Sequence, residues 1–252
     1  MELIDTHCHL TALKHVSPRD ALKSAAASFV TRVICVGSVE DTRSAFAALE
    51  LVQQFANVWA SVGIHPHDAG SFTSVEKLEE LAAHPRVVAI GETGLDYYRD
   101  WSPRENQKLL FINTIALAKA CGKPLIIHCR DALEETIALL IAHKAGEIGG
   151  VFHCYAGNAQ FAERLRGINF LVSFPGSLTF RNAHTVREAA AAIPLDQIML
   201  ETDCPYMAPE PLRGKPSEPA HVLNIAQKLA ELRGTTLDDV AAQTTANAVS
   251  LF

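Results

Sequence analysis

Short apolar runs alternate with amphipathic stretches along the whole chain. The runs contain few polar residues, which is typical of parallel strands that are buried on both faces. The stretches between them favour helices, and one repeats apolar residues at helical spacing from Ala45 to Phe55. The pattern therefore predicts eight strands, at residues 3–6, 32–37, 58–64, 87–91, 124–128, 150–153, 170–174 and 198–202.

Eight strand-and-helix units in 252 residues predict one (β/α)8 TIM barrel, with residues 1–252 as a single domain. The alternative fold is a doubly wound open sheet. That fold typically has a glycine-rich phosphate loop after its first strand, where this chain has His7-Cys8-His9. The barrel is therefore favoured, and it places functional groups at the carboxyl-terminal rim of the strands.

Two helix boundaries have local signals in the sequence. Ser102 and Glu105 have the spacing of a capping box, with Pro103 at the first helical position. The helix that they begin is predicted to end at Gly122, because glycine commonly terminates helices. Thr236 is predicted to begin the final helix in a similar way.

Composition narrows the classes of protein that the chain can belong to. Hydrophobic residues make up 48% and charged residues 20%, which argues against disorder. The net charge of −6 argues against a broad surface that coats nucleic acid, although a small basic pocket or bound metal ions remain compatible with it. Without a signal-like start or a long apolar segment, we expect a cytoplasmic protein that does not contact membranes. Six cysteines without a C-x-x-C pair are expected to be reduced thiols.

Histidine or carboxylate side chains follow five of the eight predicted strands. Residues two apart on a strand point to the same side, so His7 and His9 are both expected to face the barrel interior. Each position alone has a structural explanation: a polar turn, a satisfied core histidine, a hydrogen-bonded carboxylate or a cap. Because the strand ends share one rim, their combination instead predicts a metal site. The predicted metal ligands are His7, His9, Glu92, His128, His153 and Asp203.

This ligand set suits a pair of divalent ions with one carboxylate shared between them. Imidazole and carboxylate ligands together fit Zn, Mn, Ni, Co or Fe, whereas Mg is less suited to imidazole but can serve where it is abundant, and the identity of the ions (Mg, Mn or Zn) stays open. Three cysteines, Cys129, Cys154 and Cys204, each follow a predicted ligand directly. Strand alternation predicts that their side chains point away from the site and act as small buried hydrophobes.

Six short motifs occur in order along the chain, at residues 5–10 (DTHCHL), 63–67 (GIHPH), 91–97 (GETGLDY), 128–130 (HCR), 153–157 (HCYAG) and 201–206 (ETDCPY). Together they resemble the TatD family of metal-dependent hydrolases, within the amidohydrolase-like barrels. The resemblance implies deoxyribonuclease activity, including 3′–5′ exonuclease action on single strands. It also implies that His7, His9 and Glu92 hold one ion with Asp203 at or near it. Glu92, His128 and His153 would then hold the second ion.

For cleavage of a phosphodiester, Asp203 is the expected general base, and Glu92 is expected to act beside it. We predict that His65, Arg130 and Arg213 contact the substrate. The alternatives are a hydrogen bond to a metal ligand for His65, a salt bridge for Arg130 and a solvated loop for Arg213.

The main alternative activity is hydrolysis of an ester or amide, such as deacylation of D-aminoacyl-tRNA. A metal-binding scaffold without activity is a third class. DNA binding is expected to be weak and local because the chain is acidic, and a monomer is compatible with the sequence.

Overall fold

The computed structural model describes residues 1–38, 43–71, 74–99 and 101–252. Its strands form one eight-stranded sheet in the order of the sequence, with parallel pairing. This is the predicted TIM barrel. The strands are β1 (Leu3–Cys8), β2 (Val30–Gly37), β3 (Val58–Val62), β4 (Val87–Asp96), β5 (Leu125–Arg130), β6 (Gly150–Phe152), β7 (Phe170–Phe174) and β8 (Ile198–Leu200).

Helices alternate with the strands, and two of them follow β8. The α-helices of the described residues are α1 (Pro18–Ala27), α2 (Arg43–Gln54), α3 (Glu76–Ala82), α4 (Arg104–Cys121), α5 (Leu133–Ala142), α6 (Ala159–Arg166), α7 (His184–Ala192), α8 (Val222–Arg233) and α9 (Leu237–Leu251). No helix in the described part of the chain is long and apolar enough to cross a membrane.

All eight predicted strands are confirmed, with small shifts of their ends. The largest difference is in β4, which was predicted to end at Gly91 and continues to Asp96. Pairing with β5 causes the extension, because the register continues up to Asp96 opposite Arg130. β4 therefore carries both Glu92 and Asp96 to its carboxyl-terminal end.

The structure divides the chain into two compact units. The first unit comprises Met1–Cys35, Cys154–Arg166 and Leu171–Leu251, and the second comprises Val36–His153, Gly167–Phe170 and Phe252. In the first unit, α9 contacts the starts of two strands, since Thr245 donates to the carbonyl of Glu2 and Asn247 to that of Ile198. In the second unit, β3, β4 and β5 are each followed by one helix, which is α3, α4 and α5 respectively. That residues 1–252 form a single domain remains a prediction.

The predicted capping box at the start of α4 is wrong. Pro103 is the N-cap residue, and no side chain caps this helix. The Ser102 hydroxyl instead donates to the carbonyl of His67 and accepts from the backbone N–H of Gly70. A tertiary contact with the segment after β3 thus replaces the local bond. The predicted end at Gly122 is confirmed, and this residue has a left-handed φ of 63°.

The start of the final helix is confirmed. The hydroxyl of Thr236 accepts a hydrogen bond from the backbone N–H of Asp239 at 3.1 Å and donates to its carboxylate at 2.6 Å. All six cysteines are free thiols, as the sequence predicted.

Candidate metal centre

A buried group of two imidazoles and one carboxylate lies at the ends of β1 and β8 in the first unit. We call His7, His9 and Asp203 the first cluster. The Nε2 atoms of His7 and His9 lie 3.4 Å apart, and they lie 3.7 Å and 3.4 Å from Oδ1 of Asp203. Nitrogen and carboxylate oxygen atoms that converge in this way are the ligands that a divalent transition ion prefers.

Hydrogen bonds between β1 and the segment after β8 hold the first cluster together. Asp5 accepts from the backbone N–H and the hydroxyl of Thr202, at 2.9 Å and 2.6 Å. The backbone N–H of Asp203 donates to the carbonyl of His7 at 2.9 Å. Burial raises the pKa of Asp5 to about 8, although the hydrogen bonds from Thr202 act in the opposite direction. Asp203 is therefore placed by backbone bonds rather than by its own side chain.

A second group surrounds Glu92 in the second unit. We call Glu92, His128 and His153 the second cluster. Oε1 of Glu92 lies 2.7 Å from Nδ1 of His128 and 2.8 Å from Nε2 of His153. Burial alone would raise the pKa of Glu92, but the neighbouring imidazoles of His153 and His65 hold it well below its usual range. Glu92 is thus an ionised carboxylate among nitrogen ligands, and it fits a divalent cation.

Asp96 and His67 contact the second cluster, and the sequence interpretation gave neither of them a role. Oδ2 of Asp96 lies 3.0 Å from Nε2 of His128 and 2.7 Å from Nε2 of His67. Two signals in the sequence could have found them. Asp96 lies four residues after Glu92, an even spacing that keeps both on one side of a strand. His65 and His67 also repeat the spacing of His7 and His9.

The three predicted substrate-binding residues lie in different surroundings. His65 is buried, and its Nε2 lies 3.4 Å from Glu92. Burial lowers the pKa of His65 to about 4. Arg130 is exposed at the end of β5, with its guanidinium 3.8 Å from the ring centroid of Tyr98. Their substrate contacts remain predictions.

Arg213 lies in the first unit. Its guanidinium is 3.9 Å from the carboxylate of Glu210 and 4.4 Å from the ring centroid of Phe180. Half of the side chain is exposed, so it can reach a bound molecule from a loop. A substrate contact by Arg213 also remains a prediction.

The orientation predicted for Cys154 is wrong. Its thiol lies 3.7 Å from Oδ2 of Asp203 and so faces the first cluster. Strand alternation does not apply here, because β6 ends at Phe152 and Cys154 has a φ of 47°. Cys204, in contrast, is fully buried as predicted, and Cys129 is partly buried beside Thr136.

Comparison with known proteins identifies the family. A family model described as TatD related DNase matches residues 4–252. The chain belongs to the TatD family of metal-dependent hydrolases. The match spans all six motifs and every residue of both clusters, so the resemblance predicted from the sequence is confirmed.

Relatives within the TatD family align over almost their whole length. The chain is 41% identical over 253 residues to a protein of Bacillus subtilis named uncharacterized metal-dependent hydrolase YabD, covering 99% of this chain and 98% of the relative. It is 33% identical over 258 residues to the Escherichia coli protein named 3′-5′ ssDNA/RNA exonuclease TatD. This alignment covers 99% of this chain and 98% of the relative.

A solved TatD-family structure has the same fold. The crystal structure of the TatD homologue YjjV from Escherichia coli superposes with a TM-score of 0.92 at 29% identity. The superposition covers 99% of this chain and 97% of that one. This agreement supports the barrel and the order of its strands.

Proposed function

We propose that this TatD-family protein is a divalent-metal-dependent deoxyribonuclease that hydrolyses phosphodiester bonds, with 3′–5′ exonuclease action on single strands. The observation that carries the proposal is the pair of buried clusters, each with two imidazoles and one carboxylate, in a chain that matches a DNase family from residue 4 to 252. The name of the Escherichia coli relative supports the polarity and the single-stranded substrate.

Each cluster fits one metal ion by its donor chemistry. His7, His9 and Asp203 would hold one ion, and Glu92, His128 and His153 would hold the other. Divalent ions at these positions would neutralise charge on the phosphate oxygens and make water acidic enough to ionise near neutral pH. A second role for Glu92, as a ligand shared by both ions, rests on the sequence resemblance. Mg, Mn and Zn are the candidate ions.

Asp203 is the residue that we propose as general base. Oδ1 faces the imidazoles of the first cluster, while the contact of Oδ2 with the Cys154 thiol at 3.7 Å is a weak hydrogen bond. Oδ2 therefore keeps the capacity to accept a proton from the attacking water. Asp203 is buried to the same degree as the imidazoles of His9 and His153.

His65 is suited to donate a hydrogen bond to a phosphate oxygen. With a pKa of about 4, its imidazole is neutral at pH 7. Nδ1 of His65 accepts the backbone N–H of His67 at 3.1 Å, so the single proton lies on Nε2. This Nε2 lies 3.4 Å from Glu92 and 3.3 Å from Nδ1 of His128, so its proton would be close to a phosphate oxygen held by an ion at the second cluster. Arg130 and Arg213 would bind phosphates farther along the single-stranded nucleic acid.

A substrate panel tests this proposal. The protein is treated with a chelator, and Mg, Mn or Zn is added back in the presence of single-stranded DNA labelled at either end, duplex DNA, RNA, D-aminoacyl-tRNA or bis(p-nitrophenyl) phosphate. We expect metal-dependent release of mononucleotides from the 3′ end of the single strand. Deacylation of the tRNA without cleavage of any nucleic acid would instead assign the protein to carbonyl hydrolysis.

A further inference from the structure

Two large aromatic side chains are exposed immediately after β4. Tyr98 is 56% exposed and Trp101 is 66% exposed, and we call this pair the aromatic platform. Exposing large aromatic surface is unfavourable in water, so neighbouring exposed aromatic residues often mark a binding surface. Neither residue takes part in the chemistry proposed above.

Asp96 connects the aromatic platform to the second cluster. Oδ1 of Asp96 accepts the backbone N–H groups of Tyr98 and Arg99, at 3.0 Å and 2.9 Å. Oδ2 of the same carboxylate contacts Nε2 of His128. The carboxylate that orients a predicted metal ligand therefore also fixes the backbone of the platform.

Ring contacts lead from the platform to the same cluster. The rings of Trp101 and His67 meet edge to face with centroids 4.5 Å apart, and the centroids of His67 and His128 lie 5.9 Å apart. One imidazole thus separates Trp101 from a predicted metal ligand. Trp101 is therefore an exposed residue that lies close to the second cluster.

Guanidinium groups surround the platform, although the whole chain has a net charge of −6. Arg99 lies 5.3 Å from the ring centroids of both Tyr98 and Trp101, and Arg130 lies 3.8 Å from that of Tyr98. Aromatic faces that stack on bases, beside cations that bind phosphates, are the combination by which proteins hold single-stranded nucleic acid.

Tyr97 and Tyr155, which lie in the motifs, are less suited to this role. Tyr97 is only partly exposed, and its hydroxyl donates to Glu135 at 2.6 Å. Tyr155 is 3% exposed, and its hydroxyl donates to the carbonyl of Asn158. Both tyrosines are engaged through their hydroxyl groups and are less exposed than Tyr98 and Trp101. Tyr206 is also exposed, at 58%, but it lies in the first unit, with its ring centroid 6.2 Å from that of His9.

We propose that Tyr98 and Trp101 form a base-stacking subsite for single-stranded nucleic acid, with Arg99 and Arg130 binding the adjoining phosphates. The inference deepens the proposed nuclease function and rests on it. Stacking on an aromatic plane tolerates any base sequence, because every base has a π face. The subsite would hold nucleotides next to the bond that is cleaved, so it would act on substrate binding rather than on the chemical step.

Tryptophan fluorescence tests the subsite without any turnover. The chain has two tryptophans, so Trp59→Phe leaves Trp101 as the only one. In this background, Asp203→Asn is added to prevent cleavage, and a ten-residue oligothymidylate is titrated with Mg present. We expect saturable quenching by the oligonucleotide and little quenching by an abasic strand of equal charge. If the oligothymidylate and the abasic strand quench the fluorescence equally, the proposal is wrong. It is also wrong if fluorescence anisotropy shows that the oligothymidylate binds while the Trp101 fluorescence is not quenched.

Kinetics separate the subsite from the proposed activity. Trp101→Ala should raise KM for single-stranded DNA about tenfold, the scale of losing one base–aromatic stack, with kcat nearly unchanged. Hydrolysis of bis(p-nitrophenyl) phosphate, which has no nucleobase, should stay the same, and Trp101→Phe should recover most of the lost affinity. The matched control is Ile141→Ala, which removes a 56% exposed apolar side chain at the end of α5.

Unchanged KM in Trp101→Ala, when the wild type cleaves DNA, contradicts the subsite alone. A wild type that cleaves no nucleic acid contradicts the proposed function, and the fluorescence titration then decides the subsite by itself. RNA and DNA strands in both assays identify which sugar the subsite accepts.

Discussion

Asp96 and Glu92 lie on opposite sides of the His128 ring, with Asp96 Oδ2 at 3.0 Å from Nε2 and Glu92 Oε1 at 2.7 Å from Nδ1. Both carboxylates accept hydrogen bonds, and they raise the pKa of the His128 imidazole although its burial acts in the opposite direction. With an ion held by the second cluster on the Nδ1 side, Asp96 would keep the remaining ring proton on Nε2. Carboxylates in this position commonly fix the tautomer and orientation of a histidine that binds metal. Asp96 is therefore a positioning residue for the second cluster.

Replacing Asp96 with asparagine should weaken metal binding without removing a ligand. We expect Asp96→Asn to lower the affinity for one of two ions by about 10- to 100-fold, the usual cost of losing such a partner. Isothermal titration of the chelated protein with Mn or Zn measures this. Glu105→Gln is a suitable control, because the Glu105 carboxylate is 83% exposed on α4, where it pairs with Lys108. If Asp96→Asn and the wild type bind Mn or Zn with the same affinity, Asp96 does not position His128.

Each cluster should lose its own ion when one imidazole is removed. We expect about two ions in the wild type and about one ion in either His7→Ala or His128→Ala, because each variant disrupts one set of ligands. Metal content after dialysis, measured by elemental mass spectrometry, gives the stoichiometry. The two-site prediction is wrong if the wild type holds fewer than one metal ion per chain and His128→Ala has the same metal content.

Asp203 should matter more for turnover than for metal content. In Asp203→Asn the amide oxygen can still coordinate, but the side chain no longer accepts a proton. We expect kcat on a phosphodiester to fall by at least about 10²-fold, the lower end of general-base effects. Elemental analysis of the same sample should still find the metal. Full activity of this variant would falsify the assignment of the base.

The sequence was sufficient for the fold because its signals are local and repeated. Eight buried apolar runs separated by helices are compatible with few architectures, and ligands at strand ends follow from that topology. Asp96 was overlooked because the apolar run of β4 was predicted to stop at Gly91, and His67 lies beyond the end of β3. The extension of β4 to Asp96 comes from pairing with β5, which is a contact between residues distant in sequence.

Two other errors have the same physical origin. The hydroxyl of Ser102 bonds to the backbone of His67 and Gly70 instead of capping α4. Cys154 turns towards Asp203 because β6 ends two residues earlier and the backbone adopts a left-handed conformation. In both cases a tertiary contact or a strand end, neither of which has a local sequence signal, decides where a side chain points.

The six free thiols should differ strongly in reactivity. Cys8 and Cys35 are fully buried, and burial raises the pKa of Cys35 to about 12 and that of Cys8 well above its usual range. Because the thiolate is the reactive form, neither should be alkylated in the native protein at pH 8. Cys121, Cys129 and Cys154 are partly exposed, but burial raises the pKa of Cys129 to about 11, so Cys121 and Cys154 should react first.

Iodoacetamide labelling followed by peptide mass spectrometry measures the order of these reactions. Labelling in denaturant serves as the control, since all six thiols should then react. Because the Cys154 thiol lies 3.7 Å from Oδ2 of Asp203, metal added to the chelated protein should slow its modification while Cys121 is unaffected. Labelling of Cys35 as fast as Cys121 in the native protein would contradict the packing around β2, and metal-independent labelling of Cys154 would argue against an ion at the first cluster.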